Sequence, residues 1–290
     1  MYETPLRRVA AIHDLSGFGR VSLTAAIPIL NNMGIQTCPL PTAVLSTQTG
    51  GMTGFTFHDL TGEMHPILDH WQRLQLTFDC VYSGFLGNLD QVEIAERCIR
   101  DFLKPSGFAL VDPVLADNGV LLPTQTMDMV RAMRRLISCA HIVTPNLTEA
   151  ALLLDEPYDP GLSPEALKRQ LVRLSDMGPR QVVITSAPAY RDGYCASVAY
   201  DRTEGRFWMV SSRWIDAFYP GTGDVFASVL VGALLQGDSL PLAVERAVRF
   251  VTRGISVTLT QNTVNTEGIL LEQVLSTLGD REDLGQFTEF

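Results

Sequence analysis

The chain has 290 residues, 46% of them hydrophobic, and a formal net charge of −10. The apolar share supports a large core, while the acidic balance and the lack of any basic run exclude the electrostatic footprint of nucleic-acid binding and disfavour an anionic membrane surface. Five widely spaced cysteines without a C-x-x-C pair fit reduced thiols better than a disulfide frame or a zinc site.

The first element is the apolar strand RVAAIHD. No apolar core of signal-peptide length precedes Asp14, and no stretch reaches the roughly 18 apolar residues of a membrane span, so a cytoplasmic protein is expected. A glycine turn leads into SLTAAIPILNNMG, a helix closed by Gly34. The turn itself, GFGRVS, imitates a dinucleotide fingerprint but lacks its third glycine, and no acid lies between Leu15 and His58 to hold a ribose. The stretch TQTGGMTGFTFHDLTGEM, rich in glycine and threonine, reads as a small flap or lid, with Thr49 to Gly54 placed to close over a pocket.

Strand and helix then alternate: CVYSGFLGN with QVEIAERCIRDFLK, GFALVDPVL with TMDMVRAMRRLI, AHIVTPN with LTEAALLL, and RQVVITS after SPEALKRQLVRLSDMG. Each strand is apolar throughout, as expected when helices cover both faces, and polar residues gather at the strand ends. This predicts an α/β fold with a mainly parallel, doubly wound sheet and a ligand site at its carboxyl edge. A hairpin turning at Asp201 to Gly205 precedes the last motif. With no internal repeat and no linker, residues 1–290 read as a single domain, of which the acidic tail 278–290 is expected to fray.

The motif with most chemical content is YPGTGDVFASVLVGALLQG. Gly221, Thr222 and Gly223 form the amino end of a nearly all-apolar helix, where free amides and the dipole suit a phosphate. Asp224 is placed as an N-cap, yet a carboxylate beside an anion hole is repulsive unless a proton sits between, as when an alcohol is deprotonated while attacking a phosphoryl group. Only Lys104 and Lys168 are lysines, so a Walker loop and the protein-kinase motifs are absent. Asp112 and Asp117 in VDPVLADNG, and Asn146 and Glu149 in VTPNLTEA, fall at strand ends of the same edge. Clustered carboxylates there suggest a cation, although Thr144 to Glu149 also resembles helix capping and Asp112-Pro113 a turn. His13, His58, His65, His70 and His141 show no metal-ligand spacing.

Taken in order, DPVLADNG, TPNLTEA, MGPRQVVITS and YPGTGDVFASVL strongly resemble the ribokinase-like superfamily, and within it the kinases for pyridoxal and hydroxymethylpyrimidine; VLSTQTGG and YSGFLGN resemble segments of pyridoxal kinases. The resemblance runs from about Val9 to about Leu259. It implies a three-layer α/β/α fold, ATP and Mg²⁺ as cofactors, phosphorylation of the 5'-hydroxymethyl group of a B6 vitamer, and a homodimer. By the same resemblance Asp224 is the base and the amides of Gly221, Thr222 and Gly223 hold the migrating charge. Asp112 and Glu149 would organise magnesium through water. Asn146, Thr185 and Ser186 would face the nucleotide phosphates, and Asp117 would close over the nucleotide. Asp14, Ser16 and Thr49 would lie near the ring heteroatoms, Ser83 to Asn88 would border the site, and Phe85 or Phe55 would cover the ring. A monovalent cation is left open. Asp14 and Gln48 depart from the pyridoxal kinase pattern, which has serine and histidine there. The alternatives are a hydroxymethylpyrimidine kinase of thiamine synthesis and a non-catalytic vitamer-binding regulator.

Overall fold

The computed structural model describes residues 6–261, 264–281 and 284–290. In chain order its elements are β1 (Arg8–Ser16), α1 (Ser22–Asn32), β2 (Gln36–Leu45), β3 (Phe57–Asp59), α2 (Thr61–Arg73), β4 (Phe78–Ser83), α3 (Leu89–Phe102), β5 (Leu103–Val111), β6 (Ala116–Asp117) and β7 (Val120–Leu121). There follow α4 (Met127–Ser138), β8 (Ile142–Val143), α5 (Leu147–Leu154), α6 (Pro164–Asp176), β9 (Gln181–Pro188), β10 (Tyr194–Asp201), β11 (Arg206–Arg213), α7 (Thr222–Leu235), α8 (Leu240–Thr260), α9 (Leu271–Val274) and β12 (Thr288–Glu289).

Ten strands form one sheet in the order β12-β11-β10-β9-β8-β5-β4-β1-β2-β3. The ladders from β2 through β9 are parallel, and β3, β10, β11 and β12 add antiparallel edges. The remaining pair, β6 and β7, is a small separate hairpin. Alternate residues of each strand enter different cores, which is why the strands read as unbroken apolar runs. On β1, Ala10 and Ile12 join one core with Leu68, Val92, Leu136 and Leu171 from α2, α3, α4 and α6. Val9 and Ala11 join the other, with Ile29, Val229 and Val244 from α1, α7 and α8. The arrangement is the expected three-layer α/β/α sandwich.

Strand β2 has no counterpart in the periodicity reading, because Pro39 and Pro41 argue against a sheet interior. The two prolines stand two residues apart, so both turn their missing donors to the same side. That side is open there, since β3 pairs with β2 only from Ala43 to Leu45. The described residues of the tail expected to fray are pinned instead. Its strand β12 pairs with Trp208 and Met209, Glu245 accepts the amides of Gly285 and Gln286, and the Phe290 ring stacks on Tyr190. Among the described residues no helix is long and apolar enough to cross a membrane.

At the foot of α8, Arg246 and Asp238 form a buried ion pair, each side chain 4% exposed. Arg246 also donates to the Gln236 side chain and the Leu278 carbonyl, while the outer face of Asp238 is met by Arg281, 52% exposed, at 2.9 Å. Removing one partner of a buried pair strands the other charge. In urea or thermal melts Arg246→Leu is expected to cost about 3 kcal/mol, and Arg281→Ala under about 1 kcal/mol.

Candidate active site

Strand order reverses direction at β1, whose neighbours are β2 on one side and β4 on the other, and a cavity of about 590 Å³ opens there at the carboxyl edge of the sheet. Its lining follows the strand order. Asp14 and Ser16 come from β1, Phe85 from the loop after β4, Asp112 from the end of β5, Thr144 and Asn146 from the end of β8, and Thr185 and Ser186 from β9. Across the mouth stands the amino end of α7.

That helix begins at Thr222 with Gly221 as its cap in the left-handed region, at φ 82°. A Cβ on Gly221 would lie 2.4 Å from the Arg20 carbonyl oxygen. Glycine is therefore required twice over, by the dihedral and by the close approach of the loop before α1. The amides free at this helix end belong to Gly221, Thr222, Gly223 and Asp224, since the first intrahelical bond runs from the Val225 amide to the Gly221 carbonyl. A Cβ on Gly223 would stand 3.9 Å from Asp112 Oδ2, so the anion cradle directly adjoins a carboxylate.

Asp224 is little exposed, at 13% of its side chain, and its Oδ2 accepts the Ser22 amide at 2.9 Å. Burial, with the charges of Asp112 and Asp14 nearby, pushes its carboxyl up to about 8. The hydroxyl of Ser22 donates to Asp14 Oδ1 at 2.5 Å, and Ser16 donates to Asp14 Oδ2 at 3.0 Å. One residue thus ties the two acids together. Ser22 holds φ 48°, a strained value for a residue with a Cβ, of the sort found where a site over-determines the backbone. Sequence reasoning passed over it as the start of a helix.

Asp112 accepts from Thr144 at 2.8 Å, and burial lifts it to about 6. Glu149 lies well above the ordinary range through burial and the Asp112 charge. The capping reading of the Thr144 to Glu149 stretch holds. Asn146 caps α5, accepting the Glu149 amide, while Glu149 accepts the amides of Asn146, Leu115 and Ala116. With its oxygens so engaged, Glu149 stands behind Asp112 as a second charge rather than beside it as a second ligand. No cluster of three metal-ligating side chains exists among the described residues. Two buried like charges nevertheless fit a hard cation that takes its other oxygens from phosphate and water, as Mg²⁺ does.

The other expected residues fall less evenly. Thr49, Thr185 and Ser186 line the cavity, Ser186 with a positive φ of 55°. Asp117 lies on the exposed β6–β7 turn at the rim, accepting from Asn118. Ser83 does not reach the cavity: it is 1% exposed, and its hydroxyl has no hydrogen-bond partner. Phe85 lines the cavity together with Phe57, whereas Phe55 does not. Gln48 is buried and donates to the carbonyls of Gly50 (2.8 Å) and Thr266 (2.7 Å), fastening the flap to the segment after α8. Val248, Val251 and Ile255 of α8 and Phe226 of α7 supply an apolar wall that reads as core in the sequence.

The model of the phosphomethylpyrimidine kinase family matches residues 23–268. A structure from Bacteroides thetaiotaomicron, described as a candidate phosphomethylpyrimidine kinase and crystallised with pyridoxal, is 48% identical, with a TM-score of 0.95 over 98% of this chain and 100% of that one. Pyridoxal kinase from Lactobacillus plantarum is 32% identical, with a TM-score of 0.86 over 94% and 96% of the two chains. Hydroxymethylpyrimidine/phosphomethylpyrimidine kinase from Haemophilus influenzae is 27% identical over 72% of this chain and 80% of its own.

Two outcomes follow from the geometry. Gly221→Ala is expected to lower kcat about 100-fold by displacing the cradle amides, measured by steady-state turnover. The folded carboxyl of Asp224 titrates at about 8 against about 3.9 unfolded, so the native state binds the proton more tightly and loses stability as pH rises between those values. Asp224→Asn should therefore raise Tm at pH 8 and leave it unchanged near pH 4.

Proposed function

Since the chain belongs to the phosphomethylpyrimidine kinase family, we propose that it transfers the γ-phosphoryl group of ATP to the 5'-hydroxymethyl group of a B6 vitamer. The observation that carries this reading is the Ser22 bridge, which sets a ring-facing carboxylate, Asp14, and a candidate base, Asp224, on one residue at the edge of a phosphate cradle. Pyridoxal in the 48% identical Bacteroides structure supports the choice of acceptor. So does the ring end of the cavity, where Phe57, Phe85 and Leu45 offer apolar surface beside the hydroxyl and carboxyl of Ser16 and Asp14.

In this reaction Asp224 takes the proton of the acceptor's hydroxyl, and the oxygen attacks the γ-phosphorus in line. The bond from that phosphorus to the bridging oxygen breaks, and its electron pair leaves on ADP. The amides of Gly221, Thr222 and Gly223 face the charge that gathers on the migrating group. Asp112, backed by Glu149, would hold Mg²⁺, which when bound offsets charge on the nucleotide phosphates. The apolar wall of α7 and α8 is suited to a nucleotide base, and Thr185, Ser186 and Asn146 to its phosphates. The flap from Thr49 to Gly54 limits the access of water as a competing acceptor. The homodimer and the single-domain organisation are held with this proposal.

A second reading, phosphorylation of hydroxymethylpyrimidine or its phosphate, is favoured by Asp14, since a carboxylate can accept from the exocyclic amine of an aminopyrimidine. Turnover measured side by side on pyridoxal, pyridoxamine, pyridoxine and hydroxymethylpyrimidine separates the two. The expected outcome is a higher kcat/KM for a B6 vitamer, and preference for hydroxymethylpyrimidine would replace the first reading with the second. Asp224→Asn is expected to lower kcat about 100-fold or more while ATP affinity stays near that of the wild type.

A further inference from the structure

His13 lies in β1 directly before Asp14, is fully buried, and neither ring nitrogen makes a hydrogen bond. Leaving polar atoms unpaired in a core is costly, and an apolar side chain of similar shape would fill the space without that cost. Two neighbours are shaped around the ring. A Cβ at residue 84 would stand 2.3 Å from Nδ1 and 2.4 Å from Cε1, so Gly84 leaves room for an imidazole. Tyr82 meets the ring edge-on at 4.3 Å, and its hydroxyl reaches the Asp224 carbonyl at 3.3 Å and Ser228 Oγ at 3.4 Å. What the imidazole faces is the candidate base, with Nδ1 3.7 Å from Asp224 Oδ1.

We propose that His13 is a positioning residue, whose Nδ1–H donates to Asp224 Oδ1 once the acceptor's hydroxyl is engaged. This rests on the reading of Asp224 as the base. The present separation is longer than a hydrogen bond, and contacts of this kind tighten when substrate completes the site. The Ser22 amide already holds Oδ2. With a donor on each oxygen from the protein side, the remaining lone pairs of the carboxylate face the cavity. Burial lowers the imidazole to about 3, so it donates as a neutral group and leaves the charge of the base intact. The other ionisable groups around Asp224 are Asp14, Asp112 and the Tyr82 phenol; the two acids are of like charge, the phenol faces the Asp224 carbonyl, and among the described residues His13 and Ser22 are the ones that turn an N–H toward its carboxylate.

Asparagine and glutamine distinguish this role from packing, because an asparagine amide takes the place of Nδ1 and a glutamine amide that of Nε2. Steady-state kinetics with the best acceptor of the panel would compare H13N and H13Q, each alone and combined with D224N, with thermal melts alongside. The expected result is that H13Q lowers kcat about tenfold or more, the worth of a hydrogen bond to a charged group. The KM for ATP stays unchanged, H13N keeps most of kcat, and H13Q adds no loss on top of D224N. Equal losses in H13N and H13Q, or wild-type kcat in H13Q, would overturn the inference. If H13Q does not fold, H13A removes the donor with less bulk and is scored in the same way. Wild-type turnover in D224N would instead remove the base itself, so the two failures are told apart.

Discussion

Four carboxylates, Asp14, Asp112, Glu149 and Asp224, crowd one edge of the sheet, and burial raises each of them above its ordinary range. Among the described residues lining the cavity, Arg213 is the one basic side chain. Like charges this close in a poorly solvated space cost stability, and the chain offsets the cost with donors that carry no charge. Serine and threonine hydroxyls and backbone amides serve all four acids. Such an edge is best satisfied by a cation and by protons in transit, which is what a phosphoryl transfer to an alcohol supplies.

The fold makes this crowding sustainable. Each acid sits at the end of a strand or the start of a helix, and those elements are anchored in two separate cores, so the acids cannot move apart to relieve repulsion. The strain is visible in the backbone, where Ser22 and Ser186 hold positive φ within the cavity wall. Ser22 opens α1 and Ser186 lies within β9, so both are held by regular elements.

The flap, the loop after β4 and the β6–β7 hairpin are each tied to the body of the fold. Gln48 ties the flap to Thr266, and buried Gln91 ties the loop after β4 to the Thr42 carbonyl and the Thr61 hydroxyl. Glutamine suits both places because one amide bonds two chain segments without adding charge to an already acidic edge. The short hairpin carrying Asp117 is joined to α5 through the Gly119 amide and Thr148.

Periodicity and turn chemistry alone determined the alternation of strands and helices, the parallel sheet, the hairpin at Asp201 to Gly205, and a helix opening at the Gly221 to Asp224 motif, because these depend on neighbours in the chain. They also placed Asp112, Asn146, Glu149 and Asp224 at strand or helix ends. Strand β2 escaped notice because its prolines are tolerated only at an edge left open by distant pairing, and the docking of the tail depends on Glu245 and Tyr190, far away in sequence. Ser83, expected beside the acceptor, faces the interior instead, because a residue at a strand end can face either way and register with its neighbours sets the choice. Ser22, His13, Phe57 and the apolar face of α8 have no local signature. Their part comes from standing against Asp224 or across the cavity, and only the packing of separate segments brings them there.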